Sequence, residues 1–81
     1  MTLEGPETSA EGTEPLSVSV NGVPREVPRG ATVATLVAAL GLRPELVAVE
    51  VNRALVPRRR HAEHTLAAGD RVELVTLVGG G

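Results

Sequence analysis

Residues 67–81 read AAGDRVELVTLVGGG, and the alternation inside this stretch governs every other assignment along the chain. Gly69-Asp70 is a turn signal. After it, Val72, Leu74, Thr76 and Val78 fall on one face and Glu73, Val75 and Leu77 on the other, the period of two that marks a strand with one buried side. The strand then passes straight into Gly79, Gly80 and Gly81, a thread with no side chains to pack. Its apolar face needs a covering layer, and the upstream chain offers one.

Immediately upstream, Arg58 to Thr65 is polar and aperiodic, and Leu55 to Pro57 has the composition of a short strand. Asn52-Arg53-Ala54 reads as a turn. Before it, Leu46 to Val51 (LVAVEV) places Val47, Val49 and Val51 inward against Ala48 and Glu50 outward. The covering layer is a single helix. Thr32 can cap its start, Val33, Leu36, Val37 and Leu40 recur at helical spacing, and Gly41 supplies a stop. Further upstream, Leu16, Val18 and Val20 share a face of LSVSV, Asn21-Gly22 suits a tight hairpin, and a return strand around Arg25 to Val27 follows. Pro24 and Pro28 assign that return strand to a sheet edge. The order is strand, strand, helix, strand, short strand, strand, which predicts an α+β fold: a mixed sheet of four to five strands with one helix on one face.

The chain has 81 residues, no cysteine and no aromatic side chain. One small domain with a wholly aliphatic core is what that length allows. Disulfides and thiolate metal sites are excluded. Absence of Phe, Tyr and Trp removes the stacking platforms that single-stranded nucleic-acid binders use. No apolar run approaches the roughly 20 residues of a membrane span, and the first residues lack the basic-then-apolar order of a secretory signal. A cytoplasmic protein is expected. Glu4, Glu7, Glu11 and Glu14 account for more than the whole net charge of −2. Residues 1–15 therefore form an acidic segment too poor in apolar groups to order itself, and the remainder is mildly basic. Every basic residue is arginine, so the chain offers no lysine amine for an isopeptide bond to itself.

The chemistry is expected at the carboxyl end. A free carboxylate is a poor acyl donor until adenylation supplies a leaving group, after which a sulfur nucleophile can attack the acyl carbon. A glycine leaves that carbon unshielded, where a β-branched residue would crowd it. Val75 and Leu77, with Glu73 on the same face, are the candidate surface by which a partner grips the strand beside the thread. Arg58, Arg59, Arg60 and His61 read as a solvated loop with no glycine-rich phosphate cradle. His61, Glu63 and His64 lack the further ligand a metal site needs. No catalytic side-chain arrangement is visible.

VNGVPREVPRGATVATLVAALGL (residues 20–42), VAVEVNRALVPR (47–58) and the stretch from Ala67 to Gly81 together resemble the ThiS and molybdopterin-synthase small-subunit superfamily, its thiamine-biosynthesis branch above all. The resemblance runs from Leu16 to Gly81 and leaves out the acidic segment. It implies a β-grasp (ubiquitin-like) domain over residues 16–78, an acidic tail over 1–15 and a flexible tail of Gly79, Gly80 and Gly81. It further implies a sulfur carrier that catalyses nothing and binds no cofactor or metal. Gly81 would be adenylated at the expense of ATP by an E1-like, ThiF-type enzyme and converted to a thiocarboxylate. The sulfur would come indirectly from a cysteine desulfurase or another persulfide donor and pass to a ThiG-type thiazole synthase. Sulfur delivery to molybdopterin or tRNA, a ubiquitin-like protein modifier, and a β-grasp interaction module with an inert tail are the alternative readings.

Overall fold

The computed structural model describes residues 14–77; most of the expected tail over 1–15, the whole of that over 79–81, and Val78 lie outside the described residues. Its elements follow the expected order. They are β1 (Leu16–Val20), β2 (Val23–Val27), α1 (Val33–Ala39), β3 (Val47–Val51), β4 (Ala54–Val56) and β5 (Arg71–Thr76), with single 3-10 turns at Pro44–Leu46 and Arg58–Arg60. The sheet order is β2-β1-β5-β3-β4, so the last strand occupies the centre. It runs parallel to β1 and antiparallel to β3.

The helix has only seven residues, too few to persist alone, and its ends carry specific closures. Thr32 and Thr35 form a reciprocal capping box, Thr35 N–H to Thr32 Oγ1 at 3.2 Å and Thr32 N–H to Thr35 Oγ1 at 2.8 Å. The next two free amides, those of Val33 and Ala34, donate to the carbonyls of His64 (3.0 Å) and His61 (2.9 Å). At the other end Gly41 takes φ +75°. The bonds Gly41 N–H to Ala38 C=O and Leu42 N–H to Val37 C=O complete a Schellman closure there.

Val33, Leu36 and Val37 of α1 are buried against Leu16 and Val18 of β1, Val27 of β2, Val47, Val49 and Val51 of β3, Val56 of β4 and Val72 of β5. Leu40, Leu74 and Val20 are partly buried at the margin. The expected inward sets thus supply most of the core, but Thr76, expected on the inward face of the last strand, is exposed, because β5 passes beyond the helix-covered part of the sheet there. Val78 lies outside the described residues. Each such aliphatic contributes about 1.5–3 kcal/mol when removed from water. Pro24 and Pro28 belong to or follow β2, an edge strand, as expected.

Three boundaries differ from the sequence reading. Strand β2 begins at Val23 rather than near Arg25, because the two-residue turn pairs Val20 directly with Val23. Leu46 ends a 3-10 turn opened by Pro44 instead of starting β3. The strand β4 covers Ala54–Val56, one residue earlier than the expected Leu55–Pro57, since the Asn52-Arg53 turn is equally tight and pairs Val51 with Ala54.

His61 departs most. It is 4 % exposed, not part of a solvated loop. Its Nε2 lies 3.1 Å from the Val56 carbonyl, which requires that nitrogen to carry the proton, and its Nδ1 is buried without a hydrogen-bond partner among the described residues. The segment around it is a strap: Thr65 bridges Thr32, and Leu66, also buried, donates to the Ala31 carbonyl at 2.9 Å. An apolar period was invisible in this segment because it holds down the helix start mainly with backbone carbonyls.

The two hairpin turns make a natural comparison. Asn21 and Gly22 sit at φ 50° and 84°, whereas Asn52 and Arg53 sit at 53° and 73°. Both are left-handed pairs, yet the second places an arginine where glycine has no steric penalty. Replacing Arg53→Gly is expected to raise the unfolding free energy by about 0.5–1 kcal/mol, measured by urea denaturation. A loss of stability would mean that the arginine side chain contributes more than its backbone conformation costs.

Candidate functional site

Strand β5 has a buried half and an exposed half. Val72 is fully buried and Leu74 partly so, whereas Thr76 is exposed. On the face turned away from α1, Val75 is 61 % exposed and Leu77 49 %. Glu73 shares that face and is exposed. The three residues that sequence reasoning selected for docking are therefore outside the core, at alternate positions along β5 and just past its end. Gly79, Gly80 and Gly81 lie outside the described residues.

Neighbouring strands extend this face. Ala48 of β3 stands opposite Val75, and Glu50 opposite Glu73; Leu55 of β4, 65 % exposed, stands opposite Glu50. One row thus reads Leu55, Glu50, Glu73 across three strands, and the next brings Ala48 beside Val75. Neither Glu50 nor Glu73 has an ion-pair partner among the described residues. Two carboxylates directly opposite each other repel, a cost to the free protein. Sequence reasoning found Glu73 and missed Glu50, because only the β3·β5 register brings them together.

At its far end β5 is held by a backbone bond. Leu77 N–H donates to Leu46 C=O at 2.7 Å, past the last residue of the strand. Leu46 closes the Pro44–Leu46 turn, in which Arg43 Nη2 and Nε lie 2.9 Å and 3.0 Å from Glu45 Oε2. The Glu45 carboxyl is held below the usual range by its own backbone N–H and then by Arg43. Lying at the surface, this pair adds little to stability. Leu42, Arg43, Leu46, Val47, Thr76 and Leu77 line a shallow groove beside this exit.

A larger groove lies between β2 and α1, lined by Arg25, Val27, Pro28, Arg29, Leu36 and Ala39. Strand β1 separates it from β5. It contains no pair of groups suited to acid–base or nucleophilic work, and the face around Val75 and Leu77 is the better candidate. Among the described residues no group of three or more His, Cys, Asp or Glu is placed to hold a metal ion, and no helix is long and apolar enough to cross a membrane.

A model described as the ThiS family matches residues 18–81. The chain is 38 % identical over 66 residues to a thiazole synthase of Magnetococcus marinus, covering 82 % of this chain and 20 % of that protein. It is 32 % identical to an uncharacterized protein, ycf40, of Porphyra purpurea, over 82 % of this chain and 93 % of the other. The chain therefore spans about a fifth of the length of the thiazole synthase and nearly all of ycf40. In three dimensions it is similar to the crystal structure of a thiamine biosynthesis protein, ThiS, of Geobacter metallireducens. The TM-score is 0.70 at 33 % identity, over 82 % of this chain and 100 % of that one. The five-stranded sheet with one helix is thus the β-grasp arrangement of that protein.

Relieving the opposed carboxylates should stabilise the free chain. Glu73→Gln is expected to raise the unfolding free energy by about 0.5 kcal/mol, with most of the gain abolished in 1 M NaCl, where screening acts within about 3 Å. Thermal unfolding of both proteins at low and high salt measures it; a variant less stable at low salt would remove the repulsion from the account.

Proposed function

This chain belongs to the ThiS family, and we propose that it is a sulfur carrier for thiazole formation in thiamine biosynthesis, with Gly81 bearing the sulfur. The observation that carries this reading is the family match extending through Gly81 on a strand that runs from the centre of the sheet to its exit at Leu77.

The Gly81 carboxylate attacks the α-phosphorus of ATP and pyrophosphate leaves, giving an acyl adenylate. A persulfide sulfur then attacks the acyl carbon and AMP departs with the bonding electrons. A thiol cleaves the resulting S–S bond, leaving a thiocarboxylate on Gly81 and a disulfide on the donor side. A thiocarboxylate is a sulfur nucleophile fixed to a protein by an arm without side chains. The carrier catalyses none of these steps; it delivers its terminus into channels on other proteins, where backbone donors or cations hold the carboxylate.

The partners implied are a ThiF-type adenylating enzyme, a persulfide source such as a cysteine desulfurase, and a ThiG-type thiazole synthase as acceptor. That relatives named thiazole synthase contain a segment similar to this chain supports the last assignment. The exposed row of Val75 and Leu77, with Glu73 beside it, is the surface by which such partners seat the body of the carrier. All of this belongs in the cytoplasm, where persulfide donors and ATP coexist.

Incubated with a ThiF-type enzyme, ATP and a persulfide donor, the chain should gain about 16 Da at its C-terminal peptide, oxygen exchanged for sulfur. Intact-mass spectrometry reads this directly. No gain would favour an inert module, and an adduct on lysines of other proteins would favour a modifier. Removing Gly80 and Gly81 should abolish the gain and leave the thermal transition unchanged, because those residues follow the last element of the core.

Val75→Glu or Leu77→Glu should raise KM for the carrier in the activation reaction by about tenfold, with little change in kcat. Unaltered steady-state kinetics in both variants would remove this surface from the docking assignment.

A further inference from the structure

The two edges of β5 are satisfied differently. On the β3 side, Asn52 N–H to Arg71 C=O (2.8 Å) and Leu77 N–H to Leu46 C=O (2.7 Å) fix the parity of the antiparallel ladder. Residues of β5 with odd numbers direct their peptide groups to β3. Val72, Leu74 and Thr76 direct theirs the other way, toward β1. There the parallel pairing covers only Ser19↔Arg71 and Val20↔Val72, because the chain turns away at Asn21-Gly22. The Asn21 N–H still reaches the Val72 carbonyl at 2.8 Å.

Beyond that point a side chain takes over from the strand. Asn21 Oδ1 accepts from Leu74 N–H at 2.8 Å, and Asn21 Nδ2 donates to the Leu74 carbonyl at 3.2 Å. A carboxamide has the same donor and acceptor as a peptide unit, so it substitutes for one more residue of β1. Thr76 is the next position on this edge. Among the described residues no hydrogen bond reaches its N–H or C=O, and the residue is exposed. An already extended strand thus presents one open donor and acceptor directly before the glycines proposed to carry the chemistry.

We infer that this open edge at Thr76 is a β-augmentation site, where the enzyme that receives the C-terminal glycines lays an extended segment of its own backbone alongside the strand, in the place β1 leaves empty. The inference rests on the carrier reading and specifies how the thread is recognised. Glycines offer a partner no side chains, so position along the thread can be read only through main-chain hydrogen bonds. Thr76 is where such reading can begin, since Asn21 blocks the edge up to Leu74. The same block leaves a single described peptide unit open, too little for two copies of the chain to pair stably edge to edge.

Proline at this position isolates the edge. Because the Thr76 amide points away from β3, Thr76→Pro removes only the open donor and leaves every bond of the β3·β5 ladder in place. Thr76→Val keeps the donor and changes only the side chain. With a ThiF-type enzyme, ATP and a persulfide donor, Thr76→Pro should lose at least about tenfold in kcat/KM for the mass gain, while Thr76→Val and wild type agree within about twofold. Hydrogen exchange gives a second readout that does not depend on the proline variant folding. In the free chain the Thr76 amide should exchange freely and that of Leu77 should be protected. When the activating enzyme is added, the Thr76 amide should slow by at least about tenfold. Transfer by a folded Thr76→Pro at the wild-type rate, or a Thr76 amide equally exposed in the complex, overturns the edge inference and leaves the carrier reading intact. Failure of the wild-type chain to gain sulfur overturns the carrier reading itself.

Discussion

The central strand must be satisfied on two edges by partners of unequal length, and most of the polar detail in this protein follows from that. Strand β3 pairs with β5 from Val72 to Thr76, and Asn52 and Leu46, flanking it, extend the ladder to Arg71 and Leu77. Strand β1 reaches only the first two residues. At the start of β5, a second asparagine works with an aspartate. Asn52 accepts from the Arg71 amide and donates to Asp70, and the other Asp70 oxygen accepts from the Ala67 amide. Asn21 continues the β1 side by one peptide unit. In both turns the asparagine therefore does two jobs: it adopts the left-handed conformation that the hairpin needs, and its carboxamide hydrogen-bonds the peptide backbone of β5.

The helix shows the same economy. Seven residues supply few internal hydrogen bonds, so its start depends on its own Thr32–Thr35 box and then on groups from elsewhere in the chain, the carbonyls of His64 and His61. The strap that provides these carbonyls is anchored by Leu66 and by the His61 ring, whose Nε2 meets the Val56 carbonyl. Because the helix start is filled by protein carbonyls, it offers no site for an anion. The basic triplet Arg58–Arg60 forms the exposed 3-10 turn before this anchor. Its arginines remain on the surface while the residue immediately after them is buried.

Among the described residues, no layer covers the outer face of the sheet. Val75, Leu77 and Leu55 are exposed there, and Glu50 and Glu73 oppose each other between them. An apolar surface broken by opposed carboxylates is suited to reversible association, because it gains from burial by a partner yet resists sticking to copies of itself. A carrier that must leave one enzyme to reach the next requires that balance. The groove between β2 and α1 lies away from this face, on the far side of β1.

Much of this was legible in the residues alone. The alternation of RVELVTLV, the LVAVEV run, the spacing of Val33, Leu36 and Val37 and the dipeptide Asn21-Gly22 each depend on contacts within a few positions, so the element order, the inward sets apart from Thr76 and the exposure of Val75 and Leu77 could be read directly. Tertiary structure alone decided three matters. It buried His61, whose role depends on the Val56 carbonyl and on the helix lying beside it. It set Glu50 against Glu73, since register between strands is a property of the pair and not of either sequence. And it left the Thr76 edge open, because the length of β1 beside β5 follows from where two segments over fifty residues apart in the chain come to lie side by side, and no local pattern encodes that.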